Sequence, residues 1–184
     1  MNPDKTQGGP LWQRAISFAA RAHRHQFRKD ERTPYVAHPC RVMATVALVF
    51  GCTDEVALAA AALHDTIEDT TTDYDDLLEQ FGPEVATLVA ALTKNMARPE
   101  AAREAEYDAA LARADWRARL IKLADVYDNL CDLDTSPAEN RETKARKAAD
   151  KARRALSLAG GDEAHEPMRR ALAAVRSLIG GAGV

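Results

Sequence analysis

With 184 residues, 46% of them apolar and 29% charged, the chain is long enough for one domain with a real core and too short for two enzymatic domains of ordinary size. Four Phe, four Tyr and two Trp beside abundant Ala, Leu and Arg describe a globular protein and exclude disordered and collagen-like classes. A net charge of −3 supplies no overall field for nucleic acid or an anionic membrane, so any anionic ligand has to be held locally.

The N-terminal MNPDKTQGGP has no apolar export segment, and the longest apolar stretches, residues 42–50 and 56–63, are too short to span a bilayer. A soluble, cytoplasmic protein is expected. Cys40, Cys52 and Cys131 are odd in number and form no CxxC pair, which predicts small, mostly buried thiols rather than disulfides or a thiolate metal site.

After Pro10, the spacing of Leu11, Ala15, Phe18, Ala19 and Ala22 predicts an amphipathic first helix, broken by FRKDERTPYVAHP. Pro39 suits the first turn of a second helix running to Phe50, with Gly51 as its C-terminal cap. Thr53 is the expected cap of a third helix, with Asp54 and Glu55 in its first turn. Next come a capped helix in TTTDYDDLLEQF ended by Gly82, and another beginning at Pro83. A polar break at 95–99 precedes helices in EAAREAEYDAALAR and DWRARLIKLADVYDNLCDL, then two charged helices at about 136–158 and 162–179 separated by Gly160 and Gly161. Residues 1–9 and 180–184 are expected to be flexible. With no period-two alternation and no repeat, the expectation is an all-α, compact multi-helix bundle, a single domain spanning 1–184. The seven Lys and Arg between Arg141 and Arg154 read as a solvated helix face rather than a nucleic-acid site.

The third helix ends in AALHDTIEDT, where an alanine-rich run gives way to His64, Asp65, Glu68 and Asp69. Neighbouring helical residues point about 100° apart, so His64 and Asp65 converge on one metal only where the helix is ending. Imidazole and carboxylate together suit a borderline divalent metal, and two further segments offer ligands. His38 stands just before Pro39, either as a ligand or as a surface or capping histidine. The helix holding Asp125 is apolar on nearly all sides, from Trp116 and Leu120 through Leu123, Tyr127 and Leu130, and should be central. Its polar positions Lys122, Asp125, Asn129 and Asp132 follow at 3-4-3 spacing, so Asp125 is either a functional carboxylate or the partner of Lys122 or an Arg.

Four ordered segments, HRHQFRKDERTPYVAHP, ALAAAALHDTIEDT, FGPEVATLVAALTK and RLIKLADVYDNLCDL, resemble the HD-domain (p)ppGpp hydrolases of the RelA/SpoT group, in particular the stand-alone small alarmone hydrolases. The resemblance covers residues 11–133. It implies one Mn²⁺ per chain at His38, His64, Asp65 and Asp125, a catalytic pair at Glu68 and Asp69, and removal of the 3′-pyrophosphate from a guanosine alarmone. It also implies that Arg28 and Lys29 surround the purine and that Asn129 contacts the ribose side. Tyr35 is core or pocket wall, and Asp30 is a candidate for the base edge. Only His165 follows the doublet, whereas two-metal members of the wider superfamily need further histidines there, which favours one metal.

The chain departs from the group at Val126, Tyr127 and Asp128, where a basic residue, an apolar residue and His or Tyr are common. Met96 likewise stands where a lysine is common, while Lys94 directly follows Thr93. Asp128 is expected to repel a polyphosphate unless it points away or pairs with Arg119 or another cation. The expected partner is therefore a small purine nucleotide, with no nucleic acid and no membrane, and the oligomeric state is left open. The competing readings are an adenosine alarmone (p)ppApp hydrolase, another HD nucleotide phosphohydrolase, and a nucleotide sensor without turnover.

Overall fold

The computed structural model describes residues 9–135 and 141–181, and among them the fold is all-α, with no strand beyond one isolated bridge between Phe27 and Pro34. The first helix, α1 (Leu11–Ala22), starts directly after Pro10 and buries Ala15 and Ala19. It packs along α3 (Glu55–Leu63), whose Ala57, Ala59, Ala60, Ala61, Ala62 and Leu63 are all buried. Asp54, not Thr53, caps α3, its carboxylate accepting from the Ala57 amide at 2.7 Å. An aspartate there also complements the helix dipole, which a threonine does not.

Between them, α2 (Ala37–Ala44) begins two residues before Pro39 and passes into a π-helical stretch, Thr45–Val49. His38 therefore lies inside the first turn of a helix, where a loop position was expected. The wider turn keeps Val46 and Phe50 in the core while leaving Leu48 83% exposed. Gly51 then reverses the chain with φ 73°, and a Cβ there would stand 2.7 Å from the Arg170 guanidinium.

A four-residue turn, α4 (Thr66–Asp69), leads to α5 (Tyr74–Phe81), which opens on a capping box between Asp73 and Asp76. Gly82, with φ 85°, joins it to α6 (Pro83–Leu92). Next come α7 (Glu100–Arg113) and α8 (Trp116–Cys131), the latter capped by Asp115 and followed by a 3-10 turn, Asp132–Thr135. The chain closes with α9 (Arg141–Ala159) and α10 (Glu166–Gly181). The expected start of α9 at 136 and most of the expected flexible ends, residues 1–8 and 182–184, lie outside the described residues; Gly180 and Gly181 belong to α10. The last helix begins at Glu166 rather than 162 because Asp162 is engaged elsewhere, accepting from Arg119 Nη2 at 2.9 Å. In the same turn His165 stacks on Trp116, with ring centroids 4.2 Å apart.

As expected, α8 is central, packing against α2, α3, α6, α9 and α10. Leu120, Ile121 and Leu123 are fully buried, each contributing about 1.5–3 kcal/mol by removal from water. No helix among the described residues is long and apolar enough to cross a membrane. Of the cysteines, Cys52 is buried and Cys40 half-buried, but Cys131 is exposed, because it falls on the outward side of the last turn of α8.

Candidate active site

The α3 helix breaks at its motif for a local reason. The Thr66 hydroxyl donates back to the Leu63 carbonyl at 2.7 Å, and the Thr70 hydroxyl donates to the Thr66 carbonyl at 2.6 Å. These side chains satisfy carbonyls that a continuing helix would have used. Asp65 adopts φ −99° and ψ −4°, and the chain turns so that His64, Asp65, Glu68 and Asp69 gather at one end of the bundle.

One nitrogen of His64 is spoken for. Its Nδ1 lies 2.9 Å from the Ala61 carbonyl, an acceptor only, so Nδ1 carries the proton and the Nε2 lone pair faces the site. That Nε2 is buried without a hydrogen-bond partner, 3.1 Å from Asp65 Oδ1. His38 is held in the same way: its Nδ1 lies 2.7 Å from Asp128 Oδ2, and its Nε2 is 3.3 Å from Asp125 Oδ1 and 3.5 Å from Asp65 Oδ2. One ligand atom each from His38, His64 and Asp65 lie within 4.8 Å of one another. Two imidazole nitrogens aimed at carboxylate oxygens, one of them orphaned, are a donor set that fits a divalent cation.

Charge perturbations agree with this density. Burial works against a charged His38, but the hydrogen bonds of Asp125 and Asp128 and the nearby carboxylates outweigh it and lift the imidazole to about 9. Burial raises Asp65, yet His64 and His38 bring its carboxyl down to about 2. Burial also opposes the charge on Asp125, while Lys122 and the two histidines hold it well below the usual carboxylate range. Glu68 moves the other way: burial, with Asp65 and Asp69 nearby, raises it.

Around this centre Glu68 accepts from the Lys94 amide at 2.9 Å. The Tyr35 hydroxyl lies 2.7 Å from Asp65 Oδ2 and 2.8 Å from Asp69 Oδ2, and Tyr35 lines the same cavity as these two carboxylates, so of the two expected places, core or pocket wall, it stands at the wall; its one proton serves only one of those oxygens at a time. Asp125 pairs with Lys122, one of its two expected roles, through Oδ2 at 2.7 Å, while its Oδ1 lies 3.3 Å from His38 Nε2. Asn129 donates to Asp125 Oδ1 at 2.6 Å and accepts from Arg28 at 3.2 Å, linking the acidic centre to the guanidinium. Arg28 also pairs with Asp132 at 2.9 Å and lies over the Tyr35 ring. Lys29 lines the same cavity, of about 280 Å³, which contains His38, His64, Asp65, Glu68 and Asp69. Asp30 is turned elsewhere: its oxygens accept from the Arg32 amide at 3.0 Å, the Thr33 amide at 2.9 Å and the Thr33 hydroxyl at 2.6 Å, and it does not line the cavity.

Asp128 neither faces the cavity nor pairs with Arg119. It is buried, and besides His38 it accepts from Arg41 Nε at 2.6 Å and Nη2 at 3.0 Å. Sequence reasoning missed three further lysines, Lys144, Lys147 and Lys151, which line a second cavity of about 230 Å³ continuous with the first through Arg28, Lys29, Lys122, Asp125, Asn129 and Lys151. Their spacing places them on one face of α9, a signal present in the sequence, but that face meets a cavity rather than open solvent alone.

Residues 15–151 match the family described as HD domain. The chain belongs to the HD domain family. Human guanosine-3′,5′-bis(diphosphate) 3′-pyrophosphohydrolase MESH1 is 42% identical over 126 residues, which are 68% of this chain and 70% of the relative. Its Drosophila melanogaster counterpart is 41% identical over 119 residues, 64% of this chain and 66% of that one. An Aquifex aeolicus guanosine-3′,5′-bis(diphosphate) 3′-pyrophosphohydrolase is 37% identical over 141 residues, 75% of this chain but only 20% of the longer relative. A solved structure described as a metazoan ortholog of SpoT that hydrolyses ppGpp superposes with a TM-score of 0.80 at 30% identity, covering 97% of this HD domain chain and 98% of the other. The resemblance to the RelA/SpoT group therefore holds for sequence and fold alike.

Proposed function

We propose that the chain is a metal-dependent hydrolase that removes the 3′-pyrophosphate from guanosine alarmones of the (p)ppGpp type, releasing GDP or GTP and pyrophosphate in the cytoplasm. The observation that carries this reading is the bare, buried Nε2 of His64, fixed in its tautomer and directed among Asp65, Asp125 and His38. His38, His64, Asp65 and Asp125 would hold one cation, Mn²⁺ by the balance of imidazole and carboxylate donors. When bound, such a cation polarises a phosphoryl oxygen and lowers the pKa of water. The preference for guanosine over adenosine rests on the names of the relatives.

Of Glu68, fixed by the Lys94 amide, and Asp69, fixed by Tyr35, one takes the proton of the attacking water and the other orients that water. The water oxygen joins the phosphorus next to the ribose, the bond from that phosphorus to the 3′ oxygen breaks, and the ribose oxygen takes up the proton that the carboxylate had received from the water. Lys122, whose charge is retained beside Asp125 despite burial, faces the phosphoryl oxygens. Arg28 presents a planar guanidinium to the purine. The deciding experiment is product analysis of Mn²⁺-loaded protein with ppGpp, ppApp, GDP, GMP and AMP. GDP and pyrophosphate from ppGpp are expected; cleavage of the monophosphates with ppGpp left intact would overturn the proposal.

A further inference from the structure

The loop between α1 and α2 grips the end of α4 through a side chain that the hydrolytic scheme leaves out. Gln26 Nε2 donates to the Asp69 carbonyl at 2.7 Å, across 43 positions of sequence. That carbonyl closes a helix of a single turn, so Gln26 supplies the partner that a following turn would have given. The Gln26 carbonyl in turn accepts from the Tyr35 amide at 2.9 Å, and the Tyr35 hydroxyl lies 2.8 Å from Asp69 Oδ2. The contacts form a closed ring that runs from the Gln26 backbone through Tyr35 to the Asp69 carboxylate, and back through the Asp69 carbonyl to the Gln26 side chain. One residue therefore holds the main chain of Asp69 and also places the phenol that meets its carboxylate.

A primary amide turns about its last torsion with two nearly equivalent settings. Reversed, Gln26 would set its oxygen against the Asp69 carbonyl, two acceptors facing each other. His23 selects the other setting. It is buried at the end of α1, 3% exposed, with its Nδ1 2.8 Å from Gln26 Oε1, and among the described residues its Nε2 has no hydrogen-bond partner. An amide oxygen only accepts, so Nδ1 donates and the Gln26 NH₂ group is left for Asp69. The His23 ring also lies against the Tyr35 ring, with centroids 4.7 Å apart.

We infer that Gln26 is a positioning residue for Asp69, set in its working orientation by the Nδ1 proton of His23. Neither residue lines the cavity of the histidines, so both act through Asp69 and Tyr35. The inference rests on the proposed hydrolase reading for what Asp69 does to water; the anchoring of Asp69 is independent of it.

The test compares Gln26→Met, which keeps the length of the side chain without its hydrogen bonds, with His23→Leu and His23→Asn, which both lose the ring while only Asn keeps a donor. Two readouts are taken: steady-state kinetics of Mn²⁺-loaded protein with ppGpp, and amide exchange at Asp69 and Thr70, whose amides close α4 onto the Asp65 carbonyl at 2.9 Å and the Thr66 carbonyl at 3.2 Å. Gln26→Met and His23→Leu should lower kcat about tenfold or more and leave KM within about twofold, the split that follows when a group handling water is displaced and substrate contacts remain. Both should also lose protection at the two amides. His23→Asn should recover kcat and protection, and His23→Leu/Gln26→Met should be no worse than Gln26→Met, because the two residues act along one line. Wild-type kcat or undiminished protection in a folded Gln26→Met variant, additive losses in the double variant, or a His23→Asn variant as impaired as His23→Leu would overturn the inference. Wild-type protein that leaves ppGpp uncleaved overturns the proposed activity, and the exchange pattern across the variants then decides the anchoring of Asp69 by itself.

Discussion

The Asp128 carboxylate holds His38 by its Nδ1 at 2.7 Å, on the edge of the ring opposite the one that faces Asp65 and Asp125. Arg41 secures that carboxylate from a third direction. The pairing fixes which nitrogen carries the proton and where the other points, the task such outer partners perform around metal-binding histidines. Asp128→Ala should therefore weaken Mn²⁺ binding by about 10- to 100-fold. Metal titration by calorimetry checks this; wild-type affinity in the variant would mean that packing alone aims His38.

Glu68→Gln and Asp69→Asn should each keep the metal and lose about 10²-fold or more in turnover. Because burial raises Glu68, and a base acts only when deprotonated, kcat/KM should climb with pH through a value above the ordinary 4.5 of a glutamate. The Gln variant should lose that limb. Turnover near the wild-type rate in both variants would reduce the pair to helix-end carboxylates.

Asp30 organises its loop through three hydrogen bonds from Thr33 and Arg32, which bring its carboxyl down to about 2 from the usual 3.8. A group depressed on folding stabilises the fold above its unfolded value and ceases to do so as pH falls through the folded one. Amide-exchange protection at Arg32 and Thr33 should accordingly fade between 3.8 and about 2. Asp30→Ala should raise KM for ppGpp and ppApp in parallel, since the loop that presents Arg28 and Lys29 is loosened for both; a change confined to one purine would instead assign Asp30 to the base edge.

Gly51→Ala should destabilise the protein by about 1 kcal/mol or more, because a left-handed φ of 73° strains any residue with a Cβ. The Arg170 side chain, 2.7 Å from that Cβ position, has to move as well. Chemical denaturation measures the loss, and kcat should be unaltered. A variant as stable as wild type would show that this turn relaxes freely.

The helices with explicit punctuation were legible. Pro83 and Gly82 frame the start of α6, Asp73 announces α5, and the near-continuous apolar surface of α8 marked it as central. His38 was placed before its helix because Pro39 looked like a starting residue, yet proline fits anywhere in a first turn, whose amides lack intrahelical partners. His64, Asp65, Glu68 and Asp69 stood out at the break in α3 and Asp125 in the polar stripe of α8, whereas grouping them with His38 around one cation came from the resemblance. The partnership of Asp128 with Arg41 could not, since the two are 87 positions apart and each alone reads as a surface charge. Likewise the lysines of α9 revealed a shared face, but local periodicity says nothing about what that face meets.

The alanine surfaces of α1 and α3 bear on how the site responds to heat. Ala15 and Ala19 on one helix, and Ala57 with Ala59 to Ala62 on the other, have no rotamers to exchange. The helix end that presents His64 is thus seated on backbone-close contacts that offer no alternative packing, and the ordering entropy of that end was spent at folding rather than at ligand capture. Warming should then accelerate turnover along a single straight Arrhenius line up to global unfolding, without the break that a softening active site would introduce.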